Sequence, residues 1–225
     1  MKNVVITGAN RGIGLALCEQ FLQNNHCVFA LCRNTSDELE ALSAKDQKLT
    51  IIKGVDVTTE QGLTTMCQGL KDIHIDVLIN NAGLLKGDNL NNVETDNIIE
   101  QFNVNALAPF NVCKRLLSQL SAGSKIAFIS SRMGSISDNS SGGQYGYRMS
   151  QTALNAAAMS LSQDLKNDQI SVAIYHPGWV QTRMVNHSGD ISATESAAKL
   201  CQLIMAQDMS KTGTFTHSNG ESLPW

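Results

Sequence analysis

Hydrophobic positions along this chain alternate between two rhythms. Compact apolar runs at Val4–Gly8, Cys27–Cys32, Leu49–Val57, Asp76–Asn80, Lys125–Ser130, Ser171–Tyr175 and Gly213–Thr216 have the length and composition of strands. Between them lie amphipathic stretches with a helical period: Gly12–Gln23, Ser36–Ala44, Glu60–Leu70, Thr95–Leu120, Gly146–Lys166 and Thr194–Ala206. The alternation predicts an α/β fold on a doubly wound parallel sheet. Runs that are apolar throughout, such as Ala127–Ile129 and Val172–Ile174, suit strands covered on both faces. No linker, repeat or low-complexity block interrupts residues 1–225, so a single domain is expected.

Two segments break the rhythm. Met133–Gly143 is rich in Ser, Gly, Asn and Asp, and His176–Gly189 opens on Pro177-Gly178 without a clear period. Both follow the carboxyl ends of predicted strands, where open α/β sheets place their ligand crevice. They are candidate walls of a site.

Composition narrows the classes. The net charge of −3, from 17 basic and 20 acidic residues, offers no basic footprint, so no nucleic-acid partner is expected. No apolar run approaches the roughly 18 residues of a membrane span. The apolar start soon reaches Asn10-Arg11 without a cleavage pattern, so a cytoplasmic location is expected. The six cysteines form no C-x-x-C pair and the five histidines no H-x-x-x-H, so reduced thiols and no metal centre are expected.

The first strand leads through Gly8-Ala9-Asn10-Arg11-Gly12-Ile13-Gly14 directly into a helix. Glycines there permit a tight turn and close approach of backbone to a pyrophosphate, whose charge the helix amino end stabilises. The second strand ends at Cys32-Arg33. A carboxylate at that point would accept from an adenosine 2′-hydroxyl; Arg33 offers a charged fork to a 2′-phosphate instead, and Arg11 adds a second positive charge. These features favour NADP(H) over NAD(H).

Further motifs follow in order. Thr7 opens T-G-A-N-R-G-I-G, Asp56-Val57 stands at the end of the predicted third strand, and N-N-A-G runs from Asn80 through Asn81 and Ala82 to Gly83. Asn105 lies in N-V-N-A-L-A-P-F, Ser131 in I-S-S-R-M-G, and Pro177-Gly178 follows the sixth strand. Across nearly its whole length the chain resembles the classical short-chain dehydrogenase/reductase family. Y-R-M-S followed by A-L-N, P-G-W-V-Q-T and G-E-S-L-P-W are similar to the short C-factor-like and sniffer-like carbonyl reductases.

The resemblance implies a Rossmann-type sheet of about seven strands in the order 3-2-1-4-5-6-7, and carbonyl–alcohol interconversion by hydride transfer. It implies cofactor contacts from Thr7, Gly8, Asn10, Arg11, Gly12, Ile13 and Gly14, with Arg33, Asp56 and Val57 around the adenosine. Asn81, Ala82, Gly83, Tyr147 and Gln151 would follow on one side, and Pro177, Gly178, Val180 and Thr182 on the other. Homodimers or homotetramers are also implied, although some of the short subgroup are monomers.

In the family a tyrosine supplies the proton, a serine holds the substrate oxygen and an asparagine anchors a relay water. Tyr147, Ser131 and Asn105 match these positions. The lysine expected four residues after the tyrosine is Gln151. Tyr145 does not rescue the pattern, because Met149 follows it at that spacing. Ser130 should point away from the side taken by Ser131. An ammonium roughly 6 Å from a phenol, at an effective dielectric near 20, favours phenolate by about 3 kcal/mol, or about two pKa units. A neutral amide lacks that charge, so a loss of activity on the order of 10²-fold is expected.

Two readings follow: an NADP(H)-dependent carbonyl reductase impaired at Gln151, or a non-catalytic NADP(H)-binding sensor or interaction protein on the same fold. Substrate identity is less legible. The segment Val180–Ile191 should form a short lid over an open pocket, with Trp179, Met184 and Met133 offering apolar surface, and His176 should pack at the core edge.

Overall fold

A computed structural model describes residues 1–225. Seven strands, β1 (Asn3–Thr7), β2 (Cys27–Leu31), β3 (Leu49–Ile52), β4 (Val77–Asn80), β5 (Lys125–Ile129), β6 (Ser171–His176) and β7 (Thr214–His217), pair in the order 3-2-1-4-5-6-7. Every neighbouring pair is parallel. The helices are α1 (Gly12–Gln23), α2 (Asp37–Lys45), α3 (Glu60–Gly69), α4 (Thr95–Phe102), α5 (Ala108–Leu116), α6 (Tyr145–Asp164) and α7 (Ala193–Met205).

The alternation of side chains along each strand builds two cores. Val5, Leu78, Phe128 and Ile174 face α3, α5 and α6, whereas Val4, Ile6, Ile79 and Ala173 face α1, α2 and α7. This is a Rossmann-type doubly wound sheet. Its carboxyl edge carries the glycine turn, the segment after Asn80, the loop after β5 and the segment after His176. The largest reversal of strand order, between β1 and β4, opens the crevice there. No helix is long and apolar enough to cross a membrane.

Two predicted elements differ from the structure. The third strand stops at Ile52 rather than Val57, because Gly54 turns with a φ of 76°, after which the Val55 amide donates back to the Cys32 carbonyl. The predicted helix Thr95–Leu120 is broken into α4, a π turn at Asn103–Leu107, α5 and a 3₁₀ turn at Leu117–Gln119. Pro109 is the physical cause: it removes the donor that an α-helix would present to the Asn105 carbonyl, and its ring crowds that carbonyl.

Candidate active site

The glycine turn is fixed by close approach as well as by backbone angle. Gly8 and Gly12 have φ of 65° and 55°. A β-carbon on Gly14 would lie 2.2 Å from the Gly8 carbonyl oxygen, and one on Gly8 would lie 2.8 Å from Ala82 Cα. Helix α1 then begins without a side-chain cap and without an acidic residue in its first turn, whereas Ser36, Thr59 and Ser192 cap α2, α3 and α7. The first amides of α1, around Ile13, therefore face the crevice as open donors.

The segment after β4 braces this turn. The Asn81 and Ala82 amides donate to Thr7 Oγ1 at 3.0 and 3.1 Å, and Asn81 Nδ2 donates to the Thr7 and Gly8 carbonyls at 3.0 and 3.1 Å. Thr7 and Asn81 thus have their side chains committed to holding backbone. Asn10 is similarly engaged, its Nδ2 donating to the Asn34 carbonyl at 2.9 Å.

Arg11 and Arg33 are exposed at the mouth of the crevice. Arg33 has a partner that the sequence did not reveal: its guanidinium lies 3.7 Å from the Asp56 carboxylate. Burial alone would raise the Asp56 carboxyl, but hydrogen bonds from Thr58 and the Arg33 charge outweigh it and hold the group below the ordinary carboxylate range. Part of the Arg33 charge is therefore already answered within the protein. Val57 packs at the edge of the core beneath this pair.

On the opposite wall, Asn105 is buried and fully used. Its Oδ1 accepts from the Leu84 amide at 2.7 Å, while Nδ2 donates to the Leu84 carbonyl at 2.7 Å and to Ser150 Oγ at 3.0 Å. Ser150 Oγ in turn donates to the Tyr147 carbonyl at 2.8 Å. Asn105 thus ties the chain just beyond Gly83 to the first turns of α6, which carry Tyr147. The start of α6 is held from the same segment, because the Asp88 carboxylate accepts from the Tyr145 and Gly146 amides.

Tyr147 is half-buried, and burial pushes its phenol above the ordinary value near 10, while the neighbouring Ser131 hydroxyl draws it partway back. No hydrogen bond of good geometry joins the two hydroxyls. Ser131 Oγ accepts from the Met133 amide at 3.2 Å, which leaves its own proton free to donate. Ser130 points the other way, as strand alternation requires, and meets Gln151 Oε1 at 3.0 Å and Asn155 Oδ1 at 2.7 Å. Gln151 occupies the lysine position with only 4% exposure. Arg148 does not supply the missing charge, because its guanidinium reaches outwards to the Gly143 and Met133 carbonyls and Ser141 Oγ.

Beyond β6, Gly178 turns with a φ of 90° and the Pro177 carbonyl accepts from Ser196 Oγ at 2.7 Å. Val180 bridges to Ile191, closing a compact lid. That lid is less open than predicted. Thr182 Cγ2 would lie 3.3 Å from a β-carbon on Gly12, and Met184 Cε 3.9 Å from one on Gly83, so the lid spans the crevice. Trp179 is 53% exposed and keeps its indole available. Met133 instead lines a groove on the outer face of α6 with Ile136 and Met149. His176 packs at the core edge, edge-on to His217.

Residues 2–192 match the family model described as short chain dehydrogenase. The chain is 31% identical to 1-hydroxy-2-glutathionyl-2-methyl-3-butene dehydrogenase of Rhodococcus sp. (strain AD45), over all of both chains. Its structure is similar to that of the carbonyl reductase Sniffer of D. melanogaster, with a TM-score of 0.91, 30% identity and all of both chains covered. It is also similar to a carbonyl reductase from Pseudomonas aeruginosa PAO1 in complex with NADP, with a TM-score of 0.88, 31% identity and full coverage of both.

Proposed function

Because the chain belongs to the short-chain dehydrogenase/reductase family of oxidoreductases, we propose that it interconverts a carbonyl and an alcohol with NADP(H), at a rate held down by Gln151. The observation that carries this reading is the Asn105–Ser150 tether that holds the turn bearing Tyr147, whose phenol neighbours the Ser131 hydroxyl with its unused proton. The crevice suits the dinucleotide: the uncapped start of α1 offers amides to a pyrophosphate, and Arg11 and Arg33 flank the place for a 2′-phosphate. The NADP-bound relative supports the same assignment. When bound, NADP(H) supplies or accepts the hydride.

The protein's own residues handle the oxygen and the proton. Ser131 donates to the carbonyl oxygen and stabilises the charge that develops there, and Tyr147 delivers the proton that makes it an alcohol. Asn105 holds the first turns of α6 against the segment after β4 and so keeps Tyr147 in place. Thr182 and Met184 narrow access from the lid side.

NADPH oxidation measured against a panel of aldehydes and ketones tests the reading. Tyr147→Phe should keep nucleotide affinity and reduce turnover to background. A Phe variant with full turnover on a verified substrate would remove Tyr147 from the reaction. One observation favours a second reading, a non-catalytic NADP(H)-binding protein: no cation stands beside Tyr147 to offset the burial of its phenol. Exposed Ile99, Phe102, Leu107, Phe110 and Leu117 along α4 and α5 support self-association as a homodimer or homotetramer, which sedimentation would measure.

A further inference from the structure

Ser130, Gln151 and Asn155 form a polar cluster in which all three residues are at most 4% exposed. Ser130 Oγ lies 3.0 Å from Gln151 Oε1 and 2.7 Å from Asn155 Oδ1, but its single proton can serve only one acceptor. Asn155 Nδ2 is meanwhile buried against Gly134 with no partner. The oxygen and nitrogen of a side-chain amide are interchangeable in shape, so the network decides which way each one faces.

Turning the Asn155 amide over resolves both conflicts. Its Nδ2 then donates to Ser130 Oγ, the Ser130 hydroxyl donates to Gln151 Oε1, and no buried donor is left unpaired. An oxygen then lies against Gly134, and an under-satisfied carbonyl is the better tolerated defect. Turning Gln151 instead would leave the Asn155 donor buried and orphaned.

The direction of this relay fixes the far end of Gln151. With Oε1 held by Ser130, Nε2 makes no hydrogen bond within the protein, yet it is not sealed off. Gln151 lies one helical turn beyond Tyr147 on the same face of α6.

We propose that Ser130 and Asn155 are positioning residues that hold the Gln151 amide with its N–H bonds directed into the crevice, as a fixed neutral donor to a ribose hydroxyl beside the nicotinamide. This rests on the NADP(H) reading above and adds the two residues behind the substituted lysine position. Gln151 then retains the hydrogen-bonding part of a lysine's contribution and lacks only its charge.

The test is a double-mutant cycle read by calorimetric titration with NADPH, so that no substrate is needed. Ser130→Ala should weaken NADPH three- to tenfold in the presence of Gln151 and less than twofold in a Gln151→Ala background. Adenosine 2′,5′-bisphosphate, which lacks the nicotinamide half, should bind equally to both forms. Asn155→Ala removes only the orienting donor; it should give a smaller loss in the same direction and serves if Ser130→Ala does not fold. Unchanged NADPH affinity in both single variants, or equal losses for NADPH and the bisphosphate, would overturn the relay. Failure of the unmodified protein to bind either nucleotide would overturn the cofactor reading itself.

Discussion

Replacing Gln151 by lysine should raise reductase turnover, and the structure sets by how much. Positions four apart on α6 place the new ammonium roughly 6 Å from the phenol, an attraction of about 3 kcal/mol at an effective dielectric near 20. Position 151 is only 4% exposed, so desolvation of the ammonium opposes that gain. Ser130 Oγ already contacts the side chain at position 151 and can accept one of the ammonium's three protons. A net gain of about 1.4 kcal/mol, or roughly tenfold in kcat, is the conservative outcome, and the full attraction would give about a hundredfold.

The sign on pH follows from the phenol. Burial holds the Tyr147 pKa above 10, so phenolate, the base for alcohol oxidation, is scarce through the neutral range. A nearby ammonium lowers that pKa. The rise of alcohol oxidation with pH, and the alkaline fall of carbonyl reduction, should therefore both begin at lower pH in Gln151→Lys. The assay is steady-state turnover in both directions across about pH 6–10, with NADPH affinity measured separately. A folded variant that binds NADPH tightly and shows neither faster turnover nor a shifted pH profile would refute the argument.

Arg33→Ala should bring NADPH and NADH affinities within threefold of each other by calorimetry, from a preference of about tenfold (about 1.4 kcal/mol) in the parent. That preference is kept modest by the Asp56 carboxylate 3.7 Å from Arg33. Gly14→Ala should cost more than tenfold in NADPH affinity and lower the melting temperature, because its β-carbon would sit 2.2 Å from the Gly8 oxygen and 2.6 Å from Asn81 Nδ2. His176 is held neutral, its pKa lowered from 6.5 to about 3 by burial, with His217 and Arg132 adding to the shift. The unfolded chain therefore takes up a proton that the folded one refuses: stability is full above pH 6.5 and falls on acidification towards pH 3, by about 2 kcal/mol at pH 5. His176→Phe should remove that share of the decline in melting temperature between about pH 7 and 5.

The sheet was readable because burial on both faces leaves continuous apolar runs, and the glycine turn because its spacing has a steric cause. The two misplaced element boundaries share one physical origin, a local breaker inside an apolar stretch. Gly54 ended a strand whose hydrophobicity ran on to Val57, and Pro109 broke a helix whose period ran on to Leu120. Alternation sent Ser130 and Ser131 to opposite sides, but it could not say what either would meet. Asn155 follows Gln151 by one helical turn, so their shared face is legible from spacing alone. The contacts that no local pattern carries join distant segments: Asn81 with Thr7, Arg33 with Asp56, and Asp88 with the start of α6. They arise only once the parallel strands have brought their carboxyl ends to one edge.

The Asp88 contact has a kinetic meaning. Helices α2, α3 and α7 can nucleate with a cap from the adjoining residue, but Gln144 sits at a φ of 53° and caps nothing, while the carboxylate that receives the first amides of α6 comes from 57 and 58 residues away. Closing so long a loop precedes any reward from the contact. The alanine-rich body of α6 can coil early, whereas the turn bearing Tyr147 must wait for the chain beyond β4 to dock. A molecule with that segment undocked therefore keeps its strand pairings but leaves the turn that bears Tyr147 without its Asp88 anchor.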